Sequence, residues 1–166
     1  MIPIEDLRET TCWVPARRAV EAALPLIGIE NLTGIRKILL ADRGGPKEEC
    51  WGRYRAVPGT RAADIELYFY HFNVAPPEAR NSELYLTYQV VQSLLHEIYH
   101  HWIRHKNRRR PTVKIEDTNA DRWASQAAMK FVTQILGCTK EELAREWKLV
   151  LPAFKPRFRV SYGAAF

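Results

Sequence analysis

The stretch His96-Glu97-Ile98-Tyr99-His100 decides how this chain is organised. It matches the pattern HExxH and lies in a run whose apolar residues recur at helical spacing, namely Leu84, Tyr88, Val91, Leu95, Ile98 and Trp102. Residues four apart on an α-helix lie one turn apart on the same face, so His96 and His100 can bind one metal ion. Glu97 can then reach a metal-bound water molecule without being a ligand itself. The stretch therefore predicts a helix that carries a catalytic metal site.

A plainer interpretation of the same residues is a helix with two surface histidines and an unrelated glutamate. An HExxH match arises by chance on the order of once in a few hundred chains of this length. The apolar stripe favours the metal site, because it would bury the helix and leave His96 and His100 on the floor of a cleft.

Length and composition predict one domain over residues 1–166. A chain of 166 residues with 46% hydrophobic content can bury a full core. Cys12, Cys50 and Cys138 form no CxxC pair, which indicates free thiols in a reducing compartment. The N-terminus lacks the apolar core of a signal peptide, and no stretch reaches the length of a membrane span. We therefore expect a cytoplasmic protein without membrane contact.

The net charge of +6 is concentrated in the second part of the chain. Residues 1–100 contain 11 basic and 13 acidic side chains, whereas residues 101–166 contain 14 and 6. The block from Arg104 to Lys114 is the most basic and contains no acid. Such a block attracts nucleic acid or an acidic protein, although a solvated loop between two helices explains it equally well.

The residues around the HExxH stretch predict an α+β fold. A helix is expected over Pro15–Ile27, ending near Pro25, and strands over Ile35–Ala41, Trp51–Val57 and Asp64–Phe72. The predicted parts are an N-terminal helix and sheet in residues 1–75, the active-site helices in 77–136, and a C-terminal helix with a basic tail in 138–166. A short antiparallel sheet packed on an HExxH helix and a second ligand-bearing helix is typical of a small zincin-like domain.

Capping signals set the ends of the predicted helices. The HExxH helix is expected to begin after Asn81 or Ser82 and to run to Lys106. The next helix follows Pro111 and continues to Leu136, with Gly137 as its C-cap. A capping box of Thr139 and Glu142 then opens a helix that reaches Leu149.

The third metal ligand is expected on the second of these helices. Asp117, Ala120, Asp121, Ala124 and Ala128 share one face, and the alanines allow a close approach to the HExxH helix. Asp117 would then point at the metal. Glu116 lies about 100° further round the helix and is the alternative ligand. A simpler interpretation of Asp117 is an acid in the first turn of the helix that merely favours the helix dipole.

The two motifs together resemble a known group. HEIYH followed by D-x-x-A-D-x-W-A at Asp117–Ala124 is similar to the gluzincin metallopeptidases, whose second helix carries E-x-x-A-[ND]-x-[aromatic]-A. The short gap between the motifs is most similar to the ImmA/IrrE-like peptidases, compact cytosolic enzymes that cleave a DNA-binding repressor. The resemblance extends from Leu84 to Ala128, and its main departure is an aspartate at the position of the expected glutamate.

The resemblance implies one Zn²⁺ per chain, with His96 and His100 as ligands and Glu97 as general base. It places Asp117 at the third ligand position and Asp121 where a carboxylate supports a metal-binding histidine. Because aspartate is one methylene shorter than glutamate, closer helix packing, use of Glu116 or a degraded site all stay open.

Substrate-binding residues are less constrained by the sequence. If the strand before the HExxH helix forms the edge of the cleft, an extended peptide can pair with it, which makes Tyr68, Tyr70 and His71 candidate substrate contacts. An oxyanion donor is also required, and the candidates are Tyr99, His71, Arg122 and Tyr162.

Two functions are compatible with these patterns. The first is a zinc-dependent endopeptidase acting on a specific protein, such as a DNA-binding regulator, with Glu97 as the base. The alternative is a non-catalytic module of the same fold that binds nucleic acid or protein through its basic second half. An intact Glu97 favours the enzyme, because a scaffold has no physical need for this carboxylate.

Overall fold

The computed structural model describes residues 2–43, 50–106 and 112–150 and shows an α+β fold, as predicted. Its elements in chain order are β1 (Ile4–Asp6), α1 (Ala16–Ile27), α2 (Ile29–Leu32), β2 (Ile35–Ala41), β3 (Gly52–Ala56), β4 (Ala63–Tyr68), α3 (Tyr70–Asn73), α4 (Pro77–Asn81), α5 (Glu83–Lys106), α6 (Val113–Gln134) and α7 (Lys140–Val150). The HExxH stretch lies in α5, which is 24 residues long and packs against α1, α6, β3 and β4.

The four strands form a mixed sheet in the order β1-β2-β4-β3. The predicted antiparallel sheet is therefore wrong for two of its three strand pairs, since β1–β2 and β2–β4 are parallel. For β1 and β2 the physical reason is that α1 lies between them in the chain and supplies the crossover that parallel strands need. For β2 and β4 the reason is that β3 runs back along the outer edge, so that β4, which pairs with it as a hairpin, returns in the direction of β2. Only β3 and β4 form an antiparallel hairpin, which leaves β3 as an edge strand.

Most predicted boundaries agree with the structure, and β2 does so at both ends. The last strand is the main exception, because β4 ends at Tyr68 and not at Phe72. The chain turns at Phe69 and enters the short helix α3. Helix α1 continues past Pro25 to Ile27, since a proline in the last turn removes only one backbone hydrogen bond.

Ser82, one of the two residues predicted to cap the HExxH helix, is the N-cap of α5. Its Oγ accepts a hydrogen bond from the Tyr85 N–H at 3.1 Å.

The middle of α5 is buried. Leu94 and Ile98 are fully buried, because the sheet packs on one side of the helix and other helices pack on the remaining sides. His101, the residue after the HExxH motif, is only 1% exposed, and its Nε2 lies 2.8 Å from the Thr33 carbonyl oxygen. No helix in the described ranges, α5 included, combines the length and apolar character needed to cross a membrane.

Helix α6 packs on α5 through small residues. Ala120, Ala124 and Ala128 are completely buried, and side chains of this size let the two backbones approach closely, as predicted. The predicted capping box is also present, because Thr139 N–H donates to Glu142 and Glu142 N–H donates to the Thr139 hydroxyl at 3.1 Å. Close packing of α6 on α5 is what brings the second motif beside the first.

Candidate metal centre

The imidazoles of His96 and His100 face each other on α5. Their Nε2 atoms are 3.0 Å apart, and the ring centroids are separated by 4.8 Å at an interplanar angle of 67°. Both side chains are partly exposed, with His100 the more buried of the two. The predicted strip of α5 therefore presents two nitrogen atoms to one point.

Two carboxylates of α6 hold the other nitrogen of each ring. Asp121 Oδ1 lies 2.8 Å from His96 Nδ1, and Glu116 Oε1 lies 2.6 Å from His100 Nδ1. A carboxylate that accepts a hydrogen bond from Nδ1–H favours the neutral imidazole whose lone pair is on Nε2. Asp121 thus occupies the supporting position that the resemblance implies, and Glu116 does the same for the second histidine.

Asp117 completes the cluster on the Nε2 side. Its Oδ1 lies 3.4 Å from His100 Nε2, and one ligand atom from each of His96, His100 and Asp117 lies within 4.8 Å of the other two. In the part of the chain that the structure describes, this is the only group of three or more such side chains. Glu116 contacts His100 from the opposite side of the ring, so the structure brings Asp117 and not Glu116 to the shared point.

The donor set fits a zinc ion. In the tautomers that carry the proton on Nδ1, two nitrogen lone pairs and a carboxylate oxygen meet at one place, where they repel one another unless a proton or a metal ion lies between them. Tetrahedral zinc with bonds of about 2.0–2.1 Å places its ligand atoms about 3.3 Å apart. The His96–His100 and His100–Asp117 spacings of 3.0 and 3.4 Å are close to that value, and all three ligand atoms lie within 4.8 Å of one another.

The pKa values of both His96 and Glu97 are raised above their usual values by the surroundings of the two side chains. Burial lowers the pKa of His96, but the hydrogen bond to Asp121 and the nearby carboxylates outweigh it and raise that pKa above its usual value. Burial raises the pKa of Glu97 to about 7, against smaller opposing effects from His96 and a backbone hydrogen bond from Tyr54. Glu97 is only 7% exposed.

Gly52, on the edge strand β3, makes room for Glu97. A Cβ atom at Gly52 would lie 2.9 Å from Glu97 Cγ, 3.0 Å from Glu97 Oε1 and 3.1 Å from the Glu66 carbonyl oxygen. Sequence reasoning missed this residue, although a glycine within a strand signals a close approach by another group. The neighbouring Tyr54 was also missed; its ring lies 4.6 Å below the Arg104 guanidinium.

The structure does not support an edge position for Tyr68, Tyr70 and His71, because β4 lies between β2 and β3. Tyr68 is buried, and its hydroxyl donates to Glu66. His71 is buried in α3, where its ring stacks on Trp51 and its Nε2 is 3.1 Å from the Cys50 carbonyl oxygen. Tyr70, half-buried, lies under the Arg43 guanidinium at 4.8 Å.

The candidate oxyanion donors are not brought to the histidines. Tyr99 packs beside Trp102 and Trp123 and lines a cavity of about 440 Å³ between α5 and α6, together with Arg122. The lining of this cavity includes neither His96 nor His100. Tyr162 lies outside the described residues, as do residues 107–111 of the basic block.

Comparison with protein-family models, with curated proteins and with solved structures finds no match to this chain.

Proposed function

We propose that this protein is a zinc-dependent endopeptidase with a small zincin-like fold. The observation that carries the proposal is the convergence of His96 Nε2, His100 Nε2 and Asp117 Oδ1 on one point, with the buried carboxylate of Glu97 next in sequence. An arrangement of three ligands and a separate carboxylate is the one that metal-activated hydrolysis requires.

His96, His100 and Asp117 would hold the zinc ion, which when bound supplies a Lewis acid and a water molecule acidified toward a pKa of about 7. Asp121 and Glu116 fix the imidazoles in the tautomer whose Nε2 is free to bind. The aspartate at position 117 suits the site, because the alanines on the same face of α6 bring its backbone close to α5.

Glu97 is the proton carrier in this proposal. It accepts a proton from the attacking water and donates it to the amine that leaves when the peptide bond breaks. In the metal-free protein, burial raises the pKa of Glu97 to about 7, so this carboxyl group holds a proton more readily than an exposed glutamate does. This carboxylate packs against Gly52 and accepts a hydrogen bond from the Tyr54 backbone, and both residues lie on the edge strand β3.

The edge strand β3 is the surface that we propose for the substrate, in place of β4. An extended peptide can pair with the backbone of an edge strand. Since Gly52 contacts Glu97, a peptide on β3 would pass directly beside the base. We propose a protein substrate, and a DNA-binding regulator in the cytoplasm is the class suggested by the resemblance of the two motifs.

Metal content and peptide hydrolysis test the proposal together. The purified protein is expected to bind about one zinc per chain. Asp117→Ala should lose the metal, whereas Glu97→Gln should keep both zinc and fold but lose hydrolysis of a casein or peptide-library substrate. If the parent protein binds no zinc when it is supplied, the peptidase is excluded. Unchanged function in Glu97→Gln would indicate the binding module with its basic second half.

A further inference from the structure

We infer that Glu116 is a positioning residue that accepts a hydrogen bond from the Nδ1–H group of His100, so that Nε2 of this histidine is kept for the metal while Asp117 supplies the third ligand. This inference rests on the proposed zinc site, and it assigns Glu116 a role that is distinct from binding the metal. The adjacent acids Glu116 and Asp117 divide two tasks that a single glutamate cannot perform.

The contact between Glu116 and His100 is close and buried. Glu116 Oε1 lies 2.6 Å from His100 Nδ1, and the side chains are 8% and 13% exposed, respectively. Among the described residues, His100 is the one side chain within hydrogen-bonding distance of this carboxylate. Because an ionised carboxylate is strongly hydrated in water, its burial requires a partner that donates a strong hydrogen bond.

A favourable contact with the helix dipole does not explain this position. Glu116 lies in the first turn of α6, where an acid is stabilised by the positive end of the helix. That effect needs no burial and no partner on another helix. Glu141, in the first turn of α7, shows the difference, because it lies at the same end of a helix but is exposed to solvent.

The helical register explains how two neighbouring acids hold one imidazole from both ends. Successive residues of α6 point about 100° apart, so Glu116 and Asp117 reach opposite nitrogens of the His100 ring. Asp121, one turn after Asp117, supports His96 in the same way. Each imidazole therefore has its own carboxylate on Nδ1, and Asp117 alone is directed at the shared point.

Histidine tautomers in the metal-free protein provide the first test. Nitrogen-15 NMR of the parent protein should show His100 with its proton on Nδ1. Glu116→Ala is expected to move His100 toward the Nε2–H form that free imidazole favours in water, whereas Glu116→Gln keeps an acceptor oxygen and should retain the Nδ1–H form. As a matched control, Asp121→Ala should shift His96 and leave His100 unchanged. Retention of the Nδ1–H form in Glu116→Ala would overturn the inference.

Metal binding provides the second test and separates a positioning residue from a ligand. Glu116→Ala should weaken zinc affinity about 10- to 100-fold, with Glu116→Gln in between, while Glu141→Ala should change nothing. In the cobalt-substituted protein, the visible spectrum of Glu116→Ala should keep the parent coordination number, and Asp117→Ala should alter it. A spectrum of Glu116→Ala that matches Asp117→Ala would make Glu116 a ligand and refute the inference.

The two tests also keep the inference separate from the proposed peptidase. If no variant binds zinc, the peptidase fails, but the tautomer of His100 still decides whether Glu116 positions it. If Glu116→Ala does not fold, Glu116→Gln remains decisive, because loss of the charge should move the His100 Nδ1 proton resonance upfield. An unchanged resonance would contradict the inference.

Discussion

Replacing Glu97 with glutamine is expected to stabilise the metal-free protein above pH 7 and to leave its stability unchanged near pH 4. Burial raises the pKa of Glu97 from 4.5 to about 7 in the folded protein. Above the folded pKa, the carboxylate is ionised both in the folded and in the unfolded chain, and the folded state carries the full cost of burying that charge. A difference of this size corresponds to roughly 3 kcal/mol of unfolding free energy.

The sign of the effect follows from proton linkage. Below pH 4.5 the carboxyl group is neutral in both states, so glutamate and glutamine should be equivalent there. Between pH 4.5 and 7 the unfolded chain releases its proton first, and the parent protein loses stability as the pH rises. Glutamine has no such step and can still accept the backbone hydrogen bond from Tyr54.

Urea unfolding in the presence of a chelator, repeated from pH 4 to pH 8, measures this difference. The two curves should coincide at pH 4, separate between pH 4.5 and 7 and stay a constant distance apart above that, with the variant more stable. Glu141→Gln, at an exposed position, is the control and should run parallel to the parent. Parallel curves for Glu97→Gln would refute the view that a buried, destabilising carboxylate is kept for chemistry.

Three further substitutions test the packing that supports the site. Gly52→Ala should displace Glu97, lower peptide hydrolysis about 10²- to 10⁴-fold and leave zinc binding intact, as measured by activity and metal content. Asp42→Asn should cost roughly 1.5–3 kcal/mol in urea unfolding at pH 7, because the Asp42 carboxylate accepts three backbone hydrogen bonds from residues 9–11. These bonds outweigh burial and hold the pKa of Asp42 below its usual range, so this stability should be lost as the pH falls below 4. Ala124→Leu should separate α5 from α6 and cost roughly 1–3 kcal/mol, with weaker zinc binding by titration.

Each of these outcomes has a counterpart that would contradict it. Full activity in Gly52→Ala would mean that Glu97 tolerates displacement, and Arg18→Ala, at an exposed position of α1, is the control. An Asp42→Asn deficit that persists unchanged at low pH would assign the effect to packing and not to the charge. Unaltered stability in Ala124→Leu would argue against close contact of the helices, with Lys130→Leu as the exposed control.

The spacing of residues along the chain predicted the helices that carry the site. The order in which the strands pair in the sheet could not be predicted in the same way. The spacing of His96 and His100 fixes their common face on α5 wherever the helix lies. The sheet order, in contrast, depends on β1, a strand of three residues with no alternation to reveal it. His101 follows His100 directly, yet it is buried because a quarter turn directs it toward Thr33.

The different positions of Glu116, against His100 Nδ1, and Asp117, at the shared point, could not be predicted from the sequence for a related reason. Helical spacing shows that the two acids point about 100° apart, but it does not show on which side of the His100 ring each one arrives. Which nitrogen of the ring each acid contacts depends on how closely α6 approaches α5. The buried alanines allow the close approach, but their effect is visible only in the packed structure. The same limit explains why Gly52 and Tyr54, on a distant strand, were not linked to Glu97.

The three converging acceptors leave two ways to relieve their repulsion, namely a shared proton or a metal ion, and pH distinguishes them. With a proton, the hydrogen bond to Asp121 keeps the pKa of His96 above its usual 6.5, so the stabilisation is present below pH 6.5 and is lost as the pH rises through the folded pKa. A metal requires neutral imidazoles, so stability in saturating zinc should rise over the same interval. The Glu97→Gln variant removes the carboxylate step and leaves these two slopes to be compared directly. Opposite slopes with and without zinc would establish a metal site, whereas a falling slope in both would reduce the cluster to a proton-bridged histidine pair.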